Sequence, residues 1–103
     1  MTRVVFLLTF AFMVIFNQAK AATYTVTKLN GNASWLSTAG DGSLYRCIEA
    51  ANTNPGADII NFNIAGTGPF VIDFSATSMS ITEAVTINGL SQPGASCSNL
   101  QII

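Results

Sequence analysis

The sequence predicts a mainly β chain built from short, repeated strands, and three observations carry that prediction. From residue 57 onward the texture is strand-like runs of three to five residues separated by polar turns, with no helix between them. One amphipathic stripe precedes those runs, over residues 43–53. The stretch from Ile60 to Ile87 takes about 27 residues, a length that fits one coil of a parallel β-helix. An all-β sandwich shares the first feature. The hairpin signal between strands is weak, however, because Asn88-Gly89 leads into a long loop and not directly into a partner strand. The expected architecture is therefore the start of a parallel β-helix with one short N-terminal capping helix, preceded by a signal-peptide helix.

The chain opens with the three parts of an export signal. Arg3 supplies a positive charge, and Val4 to Phe16 is apolar except for Thr9. Asn17 and Gln18 then turn the chain polar, and Ala19-Lys20-Ala21 places small residues at both positions that a signal peptidase reads. An apolar run of about 13 residues is shorter than the roughly 20 needed to cross a bilayer as a helix. Residues 1–21 are thus expected to be removed, leaving 22–103 with no stable membrane span and no cysteine near the cut to carry a lipid.

After the leader, Thr23-Tyr24-Thr25-Val26-Thr27 alternates polar and bulky residues, the period-2 pattern of a half-buried strand. A loop follows, with Asn30-Gly31-Asn32 and the Gly- and Ser-rich stretch Ser37 to Gly42; Trp35 between them reads as packed on the edge of the core. Ser43 is a good N-cap, since its hydroxyl accepts from an otherwise unpaired N–H of the first turn. Leu44, Cys47, Ile48 and Ala51 then fall on one face, with Tyr45, Arg46 and Glu49 mostly off it. Pro55 and Gly56 end the helix. The later strands are expected at Ile59–Ile64, Phe70–Phe74, Met79–Ile81 and Ala84–Ile87, and Leu100–Ile103 begins another.

Composition excludes several functions. Beyond the leader, Lys28 and Arg46 face Asp41, Glu49, Asp58, Asp73 and Glu83, a net charge of −3. That balance lacks the clustered Lys and Arg with which proteins displace counterions from DNA or RNA, so no nucleic-acid partner is expected. The chain contains no His, which removes Ser-His and Cys-His catalysis and most zinc sites. Asp58, Asp73 and Glu83 lie on neighbouring β segments and could be weighed as a glycosidase pair, but they read as solvated turn and strand-face residues. Asp41 between two glycines reads as a turn, since a calcium loop needs six or more oxygens from several carboxylates. Gly66-Thr67-Gly68-Pro69 is likewise a turn and not a phosphate loop, and Asn32-Ala33-Ser34 matches a glycosylation acceptor relevant only to a eukaryotic host. No catalytic residue, metal or cofactor is expected. Two cysteines in an exported chain admit a Cys47–Cys97 disulfide; the competing reading is a buried Cys47 on the helix stripe and an unpaired Cys97 on a loop.

The segment Gly40-Asp41-Gly42-Ser43-Leu44-Tyr45-Arg46-Cys47-Ile48-Glu49-Ala50-Ala51-Asn52 resembles the "GDGSLRxAIxxAN" stretch of secreted bacterial proteins carrying the CSLREAI-type domain. The resemblance continues through Asn54-Pro55-Gly56-Ala57-Asp58, Gly66-Thr67-Gly68-Pro69, Val85-Thr86-Ile87-Asn88-Gly89 and Gln92-Pro93-Gly94-Ala95-Ser96, covering about 38–96. It implies an N-terminal module of a right-handed parallel β-helix on large exported, adhesin-like or surface-anchored proteins, with the helix shielding the open end of the solenoid. Tyr45, Arg46, Cys47, Asn88 and Leu90 depart from the usual residues, and Tyr45 cannot form a salt bridge that the family's Arg at that position would make. On this reading the chain is the non-catalytic first piece of a longer surface protein whose later coils meet a glycan or protein. The alternatives are the front end of a carbohydrate-active β-helix enzyme, or a truncated fragment without a role. If the chain truly stopped at Ile103, residues such as Ile87 and Ile102 would be left uncovered and the mature segment would aggregate or melt without cooperativity.

Overall fold

β-Branched and aromatic side chains favour extended backbone, and Thr23–Val26 forms strand β1 in the computed structural model, which describes residues 19–29, 42–73 and 78–103. Helix α1 follows over Leu44–Thr53, then strand β2 over Asp58–Phe62 and strand β3 over Val85–Asn88, which runs into a short 3-10 turn at Gly89–Ser91. The three strands make one parallel sheet in the order β1-β2-β3. Parallel neighbours need a long crossover, and α1 lies in the one between β1 and β2. The architecture is therefore mixed α/β, one helix against a small parallel sheet, where the sequence pattern suggested a mainly β chain.

The register is regular. Tyr24 pairs with Ile60 and Ile60 with Ile87; Thr25 pairs with Asn61 and Asn61 with Asn88. Alternate residues thus stack in two files. Ile60 and Phe62 point inward and are buried, while Thr25 and Ile59 are exposed and Asn61 is half-buried. A second parallel contact joins Phe70 to Ile102, with the Phe70 N–H donating to the Gln101 carbonyl at 2.6 Å and the Ile103 N–H to the Phe70 carbonyl at 2.9 Å. The core consists of Val26, Cys47, Ile48, Ile60, Phe62, Ile64 and Phe70, with Tyr24, Leu44, Ile72, Met79, Val85 and Ile102 packed around it. Each such aliphatic or aromatic side chain contributes about 1.5–3 kcal/mol when fully buried.

Several strands are shorter than the apolar pattern implied, and side-chain amides explain why. Ile64 lies beyond the end of β2 because Gln92 takes its backbone: the Ile64 N–H donates to Gln92 Oε1 at 2.8 Å, and Gln92 Nε2 donates to the Ile64 carbonyl at 2.9 Å. Met79–Ile81 is not a strand. The Ser80 carbonyl instead accepts from Asn52 Nδ2 at 2.8 Å, and the Thr82 N–H donates to Asn52 Oδ1 at 2.9 Å. The run from Phe70 bridges Ile102 in parallel, and the Ile72 N–H donates to the Ile103 carbonyl at 3.1 Å. Phe74 lies outside the described residues, as do residues 1–18, the loop with Asn30-Gly31-Asn32, Trp35 and Asp41, and the Asn32-Ala33-Ser34 triplet.

Candidate functional site

The helix cap is the feature that the sequence marked most clearly. Ser43 has extended backbone and its Oγ accepts from the Arg46 N–H at 3.3 Å. It is only 1% exposed, so the cap belongs to the interior. Gly42 just before it adopts φ +86°, a left-handed conformation that glycine enters without strain. The Gly42 carbonyl accepts from the Thr27 and Lys28 N–H groups at 2.9 and 3.2 Å, which ties the start of α1 to the end of β1. Cys47, Ile48 and Ala51 are buried, and Leu44 packs half-buried on the core. Off the stripe, Arg46 Nη1 meets Glu49 Oε2 at 2.5 Å and its guanidinium lies 5.6 Å from the centre of the Tyr45 ring. The C-terminal end closes on Asn54, whose N–H donates to the Ala50 and Ala51 carbonyls.

At the end of α1 the structure corrects the reading of Asp58. This residue is not solvated: it begins β2 and is 1% exposed. Its Oδ1 accepts from Asn54 Nδ2 at 2.7 Å and from the Ala22 N–H at 2.8 Å, while Oδ2 has no hydrogen-bond partner. The solvated reading failed because strand β2 is entered directly from the helix turn, so its first residue lies in the inward file with Ile60 and Phe62. Asp73 and Glu83 are exposed, as expected of strand-face and turn residues.

The two cysteines are not joined. Cys47 is buried on the helix stripe and Cys97 is exposed, which is the arrangement of the competing reading. A groove of about 310 Å³ runs between β1 and α1, lined by Thr23, Tyr24, Thr25, Gly42, Arg46, Cys47 and Ala50. Among the described lining residues the cation is Arg46, which is engaged by Glu49, and with no His in the chain the Cys47 thiol has no imidazole base. Among the described residues no group of three or more His, Cys, Asp or Glu gathers to hold a metal, and no helix is long and apolar enough to cross a membrane.

The structure thus assembles the predicted cap and stripe and adds a junction that sequence reasoning missed, Asn54 and Asp58 meeting Ala22. The available signal was an Asp placed at the head of an apolar strand. Neither a family model, nor a curated protein, nor a solved structure matches this chain.

Proposed function

We propose that this chain is the non-catalytic capping module that begins an exported parallel β-helix. Its task is structural: α1 closes one end of a coil, and later coils stack on the other. The observation that carries this reading is the pair of parallel contacts one coil apart. Ile60 and Ile87 are separated by 27 residues, and Phe70 and Ile102 by 32. A chain that returns to its own sheet in the same direction after that interval is winding. α1 packs on β1 and β2, whereas Ile87 on β3 occupies an inward register position and is 45% exposed. One side of the coil is therefore covered, and the other offers apolar surface and a strand edge to a following coil. The leader pattern of residues 1–21 places this module on a secreted or surface-associated protein, with recognition of a glycan or protein left to later coils.

The test is to secrete the reading frame that contains this segment, with residues 44–53 either intact or replaced by a Gly/Ser linker. The capping role predicts that export survives the replacement while the product changes from monomer to aggregate in size-exclusion chromatography. A monomeric product with an unchanged melting temperature contradicts it. Clustered Asp, Arg or Lys on one sheet of later coils, together with polysaccharide cleavage, would instead make this the front end of an enzyme.

A further inference from the structure

We propose that removal of the leader creates a ligand for the fold: the new α-ammonium group of Ala22 docks on the buried carboxylate of Asp58 and locks the mature module. The inference rests on the signal-peptide reading of residues 1–21. Ala19 and Ala21 are the small residues a signal peptidase requires, so the bond to be cut is Ala21–Ala22. The nitrogen released by that cut is the atom that already lies 2.8 Å from Asp58 Oδ1.

The site is built to receive a charge. Asp58 is 1% exposed, and its Oδ2 is an unsatisfied buried oxygen. A buried carboxylate with only neutral donors is costly, and among the described residues neither Lys nor Arg pairs with it. The position of Ala22 does not depend on the leader, because its carbonyl accepts from the Ile59 N–H at 2.9 Å. Lys20 and Ala21 are exposed, which leaves the scissile bond accessible. They also cover Gly56, where an added Cβ would stand 3.0 to 3.1 Å from their backbone. Their departure therefore opens room beside the junction for the additional protons.

The cut consumes one water. Its oxygen goes to the Ala21 carbonyl carbon, which leaves with the leader as a carboxylate. Its two protons end on the Ala22 nitrogen, which becomes an ammonium as the C–N bond breaks. One N–H donor thereby becomes three, so the same nitrogen can hold Oδ1 and also serve Oδ2. Hydrogen bonds between two ionised groups are shorter and stronger than the amide contact they replace. Processing and stability are coupled: a chain that keeps its leader, or is cut one residue away, lacks this ion pair.

The experiment uses the full chain, secreted and processed by a host, with its intact mass measured first. That mass should begin at Ala22. Residues 22–103 carry one lysine besides the α-amine, Lys28, and Lys28 is exposed. Acetylation by an activated ester, read site by site by mass spectrometry, should be at least about tenfold slower at the α-amine in the native protein than in urea, because the pair must open before the amine reacts. Lys28 should react alike in both. Asp58→Asn should abolish the protection, and so should a glycine inserted before Ala22, which moves the amine out while keeping Asp58. An α-amine as reactive in the native protein as in urea overturns the docking while leaving the signal-peptide reading intact, and so does protection that persists in Asp58→Asn. A mature mass beginning elsewhere overturns both.

Discussion

At Gln92 a side chain stands where a neighbouring strand would otherwise be. Its amide pairs with both backbone groups of Ile64 and is 3% exposed, so the ladder continues for one residue without a partner strand. Replacing Gln92 with Ala leaves an N–H and a C=O unpaired in the interior, and we expect a loss of about 2–4 kcal/mol in urea unfolding of the processed protein. Ser43→Ala removes the acceptor of the Arg46 N–H, and the loss of that cap should cost about 1 kcal/mol in the same measurement. The two roles differ in how far they can be read beforehand. A serine ahead of an apolar stripe is a local signal, visible in the sequence alone. Gln92 sits in a Gln-Pro-Gly loop that reads as a turn, and its partner lies 28 residues away. Asp58 is hidden for the same reason: its donors are a helix-end amide and the residue just before β1.

Elements were legible in proportion to how local their causes are. The helix follows from its cap, its stripe and the proline that ends it, and it occupies the residues those signals mark. Strands β1, β2 and β3 coincide with apolar alternation, but Met79–Ile81 has similar composition and is held instead by Asn52. Apolar texture specifies extended backbone without specifying a partner. On α1, Ile48→Ala should destabilise by about 2–5 kcal/mol, since the side chain is buried in the core. Glu49→Ala, which breaks only the half-exposed pair with Arg46, should stay within about 1 kcal/mol. Thermal unfolding of the two variants checks the contrast. At the link between β1 and α1, a Cβ on Gly42 would stand 2.1 Å from Thr27 Oγ1, and the positive φ adds about 1–2 kcal/mol for any other residue. Gly42→Ala should therefore be strongly destabilising, and adding Thr27→Ala should recover only the part due to the clash.

For the molecule as a whole, composition and spacing suggested winding, and the structure shows the coarser feature, a small parallel sheet with one helix and a further parallel bridge between Phe70 and Ile102. The identity of the pairing partners was not legible, because it depends on contacts between residues about a coil apart. The claim on which the functional reading stands is the parallel pairing of β2 with β3 in one register. Disulfide trapping tests it most directly, in the processed protein with Cys97→Ser and the buried Cys47 kept. Asn61 and Asn88 are direct partners on one face, with Asn88 Nδ2 donating to Asn61 Oδ1 at 3.3 Å. Cysteines at these two positions should oxidise readily to a bond that leaves the melting temperature equal or higher. Cysteines at 61 and 86 share that face but are out of register by two residues, beyond the roughly 7 Å that a disulfide spans, and should stay reduced. Rapid bonding of the 61/86 pair, or equal bonding of both, would contradict the wound, capped coil.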